Sequence, residues 1–237
     1  MSSSNKANAG AQSPPIAPLR ISRSKNPTDI LLVMKEPEAA FCASALSRIN
    51  PALRITWAPD LSETRAAIGR TAPGARLIGF STSVIVPPDV LAAFPDDAYN
   101  FHPGPPEFPG NRPSAFACYA RAPVFGVTFH RMLAKVDEGE ILDCERFPVI
   151  GLDRAGQIAV EAYQRLARIF LRNAVALARI GQPLSGNGEI WSGRKTTQAE
   201  FDRMRQVPGD VDQDELAIRI KAFNWIYTPI GNNDSDA

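Results

Sequence analysis

Ile30-Leu31-Leu32-Val33-Met34 is an uninterrupted apolar run, and together with the helical pattern after it this run decides the fold. A strand covered on both faces shows no polar alternation, so this run reads as an inner strand of a parallel sheet. Residues 37–48 then carry a helical pattern, with Phe41, Ala45 and Leu46 on one face. Residues 54–57 read as a second strand, 61–68 as a second helix and 76–80 as a third strand. A short helix at 89–93 leads to a fourth strand marked by Tyr99 and Phe101. Strands alternating with helices through short connections predict a single α/β domain, its mainly parallel twisted sheet covered by helices.

The pattern then changes. Residues 124–132 and 141–149 are β-rich and predict a hairpin-like or crossover pair at the sheet's end. A long helix is expected at 157–180, with Ala159, Tyr163, Leu166, Phe170, Ala174 and Leu177 as its core stripe and Gly181 as its stop. Two more helices, at 197–205 and 213–223, complete a helical C-terminal extension. The expected organisation is a disordered leader over 1–28, a core domain over 29–182 and the extension over 183–237. The leader holds Lys6, Arg20, Arg23 and Lys25 with no acidic residue and no apolar core, so it is not a secretory signal. Pro14, Pro15, Pro18 and Pro27 would break the amphipathic helix of a mitochondrial presequence.

Bulk properties exclude several classes. With 26 basic against 25 acidic residues, net charge is +1, which leaves no cationic surplus for a phosphate backbone. Cys42, Cys118 and Cys144 are scattered, which fits a reducing, cytoplasmic setting and neither a disulfide framework nor a cysteine zinc site. No apolar run approaches the roughly 20 residues of a membrane span. His102 and His130 are the only histidines, so a three-histidine metal site is excluded, and no dense carboxylate cluster replaces it. The turn after the first strand, Lys35-Glu36-Pro37, lacks the glycines of a dinucleotide site.

One segment stands out: Tyr99-Asn100-Phe101-His102-Pro103-Gly104-Pro105-Pro106-Glu107-Phe108-Pro109-Gly110. Asn100 and His102 are two apart at the carboxyl end of a predicted strand, where ligands bind in open α/β sheets, and both point to the same side. The four prolines and two glycines after His102 stiffen one wall beside them.

These residues resemble those of the 10-formyltetrahydrofolate-dependent formyltransferases. The likeness is carried by Asn100-Phe101-His102-Pro103, Phe108-Pro109-Gly110, Gly126-Val127-Thr128-Phe129-His130 and Asp137-Glu138-Gly139-Glu140-Ile141, and it spans residues 30–180. It implies a Rossmann-like formyltransferase fold and a formyl transfer from 10-formyltetrahydrofolate to an amine, without a metal. It further implies Asn100, His102 and Asp137 as the catalytic trio. Asn100 and a protonated His102 would meet the developing oxyanion, and Asp137 would orient the imidazole. His130 matches a family histidine that either touches the reacting groups or braces them. The loops at 81–88 and 136–141 correspond to those enclosing the folate, which assigns Ser81, Thr82, Ser83, Val84, Ile85, Val86, Val136, Gly139 and Ile141 to it.

The acceptor is a finer matter. The segment after His102 is most similar to that of sugar-nucleotide N-formyltransferases, which implies a small-molecule amine, with Pro105 and Arg112 near it. Those enzymes usually continue with a Gly-Cys-like sequence, whereas this chain has Asn111-Arg112-Pro113-Ser114. Trp225 and Tyr227 either stack on an acceptor base or anchor the tail. Aminoacyl-tRNA is disfavoured, because residues 193–237 carry six basic and eight acidic residues and leave too little chain for a β-barrel. Glycinamide ribonucleotide, hydrolysis of the formyl donor and a non-catalytic folate-binding module are the remaining alternatives. A homodimer is compatible with the sequence, which carries no membrane signal.

Overall fold

In the computed structural model, which describes residues 28–206 and 208–223, the Ile30 run lies in strand β1 (Thr28–Val33). It begins a six-stranded sheet of order β2-β1-β3-β4-β5-β6, with β2 (Ile55–Ala58), β3 (Thr71–Phe80), β4 (Ala98–His102), β5 (Val124–Arg131) and β6 (Ile141–Pro148). The pairs β2-β1, β1-β3 and β3-β4 are parallel, and β4-β5 and β5-β6 are antiparallel. The β-rich pair is therefore a hairpin and not a crossover. Among the described residues, no helix is long and apolar enough to cross a membrane. The expectations for residues 1–27 and for Trp225 and Tyr227 lie outside the described residues.

Strand alternation divides the core in two. Ile30 and Leu32 face a large cluster with α1 (Glu36–Ile49) and α5 (Ala155–Leu177), whereas Leu31 and Val33 face a smaller one with α2 (Leu61–Ile68) and α3 (Pro88–Leu91). All four β1 side chains are fully buried, which explains the unbroken apolar run. On β4, Tyr99 and Phe101 join the α1/α5 side, and Phe101 stacks on Phe129 of β5 with centroids 4.2 Å apart. The opposite face of β4 and β5 is covered by loops, since β5 and β6 are joined by a hairpin and no crossover helix returns there. That helix-free face is where polar side chains gather.

Helix α5 starts two residues earlier than the pattern predicts, and its buried stripe is Ala155, Ile158, Ala162, Leu166, Ile169, Phe170, Ala174 and Leu177. Tyr163 leaves the stripe. It stands on the flank of the helix, 41% exposed, with its ring edge on Phe80 and its hydroxyl donating to Glu38 Oε1 at 2.9 Å. A hydroxyl needs a polar partner, and that selects the boundary of the face over its centre.

Arg76 of β3 pins the carboxyl end of α5. Its guanidinium is fully buried, pairs with Asp97 at 2.8 Å and donates to the carbonyls of Ala176, Leu177 and Gln182. Tyr99 Oη then accepts the backbone N–H of Leu184 at 2.9 Å, so the chain leaving α5 is turned back over the sheet. From there residues 184–197 run as an irregular strap across the loops at the end of β4 and between β5 and β6. Helices α6 (Gln198–Arg205) and α7 (Gln213–Phe223) come after it.

Candidate active site

Backbone pairing sets Asn100 opposite His130 and His102 opposite Thr128, so these four side chains leave the same face of the sheet. A register shift at Phe129/His130 disturbs the β5-β6 ladder at this point, and such irregularities re-aim side chains. Asp137 arrives from the β5-β6 loop in the left-handed region, φ +50°, which aspartate tolerates better than most residues.

Asp137 Oδ2 lies 3.4 Å from His102 Nδ1 and accepts the backbone N–H of Gly110 at 2.8 Å. Asp137 Oδ1 is 3.3 Å from His130 Nε2 but off the line of a hydrogen bond, and it is buried without a partner. Asn100 Nδ2 donates to His130 Nε2 at 3.2 Å, and His130 Nδ1 donates to the Arg131 carbonyl at 2.8 Å. Asn100 Oδ1 is left buried and unpartnered. His102 meets an acceptor on each side, since its Nε2 is 3.3 Å from the Phe108 carbonyl. The carboxylate is the stronger acceptor, so in the neutral ring Nδ1 carries the hydrogen and Nε2, which faces the Phe108 carbonyl, is the basic position.

Burial pushes the His102 pKa below the ordinary histidine value, outweighing the opposite pull of Asp137. In the free protein burial favours the uncharged imidazole. Burial raises the Asp137 pKa, but His102, protonated in the acid range where a carboxyl titrates, together with His130 and the Gly110 N–H holds the carboxyl well below the usual carboxylate range. The arrangement is a fixed anion, an oriented neutral base and an amide donor, side by side.

Gly110 is required where it is. At φ +96°, an added Cβ would sit 2.2 Å from the Thr196 carbonyl oxygen. Gly110→Ala is expected to destabilise the protein by about 1–3 kcal/mol in urea unfolding and to release the Asp137 anchor. An unchanged midpoint with unchanged activity would remove this N–H from the site.

A cleft opens beside Asn100 and Asp137. It is lined by Thr82, Ser83, Val84, Ile85, Val86, Met132, Leu133 and Val136, with a cavity volume of about 90 Å³, and it is open to solvent on one side. Ile85, Leu133 and Val136 are exposed apolar side chains at that site. Within 82–86, the only backbone group bonded to another described group is the Val84 N–H, which donates to Thr82 Oγ1. Such an open main-chain edge must find partners in solvent or in a ligand. The remaining expected residues are placed differently. Ser81 is exposed at φ +47°, outside the lining, and its N–H is spent on Phe101. Ile141 is fully buried in β6, and Gly139 is pressed against the Arg131 carbonyl, so neither lines the cleft. Pro105 is buried in its loop. Arg112 is exposed with its guanidinium over the Phe201 ring of α6. Met132, Leu133 and Trp191 were not singled out by the sequence, since they belong to no periodic face or motif.

Residues 76–172 match the family model described as formyl transferase. The matched stretch contains Asn100, His102, His130 and Asp137, and the strap at 184–197 lies beyond it. Among solved structures, the chain is similar to a sugar N-formyltransferase from a Shewanella species, at TM-score 0.68 and 13% identity over 81% of this chain and 86% of that one. It is similar to the formyltransferase PseJ from Anoxybacillus kamchatkensis, in complex with a UDP-linked 4-formamido sugar and tetrahydrofolate. There the TM-score is 0.58, with 19% identity over 76% of this chain and 91% of that one. Methionyl-tRNA formyltransferase from Clostridium thermocellum gives TM-score 0.58 and 13% identity, covering 82% of each chain. At these identities the likeness is one of fold. A comparison with curated protein sequences finds no match.

Proposed function

We propose that this formyl transferase moves the formyl group of 10-formyltetrahydrofolate to the amine of an amino-sugar nucleotide, with Asn100, His102 and Asp137 as its catalytic groups. The observation that carries the reading is the open backbone edge of Thr82–Val86, set in a cleft that Asn100 and Asp137 also line. A pterin is a flat ring bordered by donors and acceptors, and free main-chain groups beside apolar Val84, Ile85 and Val86 suit it. The cleft's open mouth leaves room for the tail of a folate to project outward.

The donor supplies an electrophilic formyl carbon, and the residues do the rest. Asn100 Nδ2 has a second N–H beyond the one given to His130, and donates it to the oxyanion that develops as the amine attacks. His102 Nε2 takes the proton from the attacking amine, and the adjacent Asp137 anion stabilises the resulting imidazolium. The same proton then goes to the departing folate nitrogen, which restores the neutral ring. No thiol competes as nucleophile: Cys42, Cys118 and Cys144 are free, and burial raises each above the ordinary thiol range, Cys144 to about 11. Free cysteines also agree with a cytoplasmic setting.

The choice of a sugar nucleotide rests on the loop after His102 and on solved structures holding a dTDP-linked amino sugar or a UDP-linked formamido sugar. Tetrahydrofolate without a formyl group is expected to raise the melting temperature, and nicotinamide dinucleotide or ATP to leave it unchanged. Amine acceptors offered with 10-formyltetrahydrofolate are then scored by a mass gain of one formyl group. Formylation of aminoacyl-tRNA with no amino-sugar product would overturn the acceptor, and stabilisation by ATP but not folate would overturn the donor.

A further inference from the structure

Trp191 lies in the strap, outside the matched family segment, yet it touches the centre of the site. Its ring is edge-on to His130, with centroids 5.0 Å apart at 88°, and to His102 at 5.9 Å and 73°. Its Nε1–H donates to the Gly139 carbonyl at 2.7 Å, two residues beyond Asp137. The indole does not line the cleft of Thr82–Val86.

The strap holds this ring firmly. The N–H groups of Ser192 and Gly193 both reach the Pro106 carbonyl at 3.1 Å, and a Cβ on Gly193 would stand 1.8 Å from the Glu107 carbonyl oxygen. Thr196 bonds Pro109 and Asn111, on the stretch that carries Gly110. Asn187 donates to Ile141, behind the Asp137 loop. Trp191 thus sits on a seam between the loop after His102 and the loop that carries Asp137.

We propose that Trp191 is a positioning residue, whose indole keeps water from the two imidazoles and locks the Asp137 loop against them. The inference takes its cluster from the proposed formyl transfer, but its test needs no turnover. Of the charged groups around His102, Asp137 from the β5-β6 loop and His130 from β5 face it directly. On the rim, Glu138 is paired with Lys195, and Arg146 with Glu107 and Glu189. Trp191 adds no charge, so its removal acts through hydration and through release of the Gly139 anchor of the Asp137 loop. Water relieves the burial that lowers His102, while Asp137 continues to raise it.

The chain has two histidines, so their imidazole NMR signals can be followed one by one through a pH titration of the full-length protein. In Trp191→Ala, the His102 midpoint is expected to rise by about half a pH unit or more. Trp191→Phe keeps a ring against the imidazoles but loses the Gly139 hydrogen bond, and is expected to shift the midpoint less than alanine does. Should the alanine variant not fold, Trp191→Gln is expected to show the same upward shift, since it fills space but admits water. In activity assays Trp191→Ala should lower kcat by about tenfold or more, with KM for the formyl donor unchanged. A His102 midpoint equal to the parent's in the folded alanine or glutamine variant would overturn the assignment. If the midpoint shifts but the parent forms no product with any amine, the positioning role stands and the proposed reaction fails.

Discussion

Asn100→Ala and His102→Ala are each expected to lower turnover by about two orders of magnitude or more, with the fold retained. Asn100 is the only side-chain amide in the cluster, and its Oδ1 is already unpartnered, so its removal orphans a single buried acceptor, His130 Nε2. Loss of His102 leaves Asp137 with the Gly110 N–H and with His130 nearby, which keeps the buried carboxylate from standing alone. The pH dependence separates roles. His102 is held below the ordinary histidine value, so its neutral, proton-accepting form dominates at pH 7. Then kcat/KM should be flat through neutrality and fall tenfold per unit only in acid, below about pH 6.5. A rate that climbs as pH drops would mean that the cation is the working form and would overturn the base assignment. Near-parental rates in either alanine variant would remove that residue from the mechanism.

Arg76→Ala is expected to cost about 3–5 kcal/mol of stability, read from the urea midpoint at constant slope. The guanidinium is fully buried, and Asp97 is 6% exposed, so the change strands a carboxylate in the core. It also removes the donors that close the last turn of α5 at Ala176 and Leu177. Arg76→Met combined with Asp97→Asn should recover much of the loss, because the stranded charge and not the missing attraction is the main cost. A single substitution within about 1 kcal/mol of the parent would show that water reaches Asp97.

Much of this was legible in the order of residues. The apolar run at β1 required a strand covered on both sides, and the alternation of strands and helices after it required a parallel sheet. Two-residue spacing put Asn100 and His102 on one face, and the covering of β4 by α5 from the other side left that face for chemistry. Such features depend on local periodicity, which a linear chain displays. The long helix shows the limit. Its pattern was visible, but Tyr163 was assigned to the core because hydrophobic spacing does not register the partner a hydroxyl needs.

What the tertiary structure alone decided is the chemistry's fine setting. The burial that makes His102 neutral is a sum over groups from β4, β5 and two loops, and no spacing encodes it. The Gly110 N–H reaches Asp137 across 27 positions of sequence, and Trp191 reaches His102 from a segment with no periodicity. Arg112, in the loop after His102, turned instead to Phe201. Periodicity reports which side of an element a residue leaves by, whereas solvation and contact between distant loops depend on how the finished chain closes over the site.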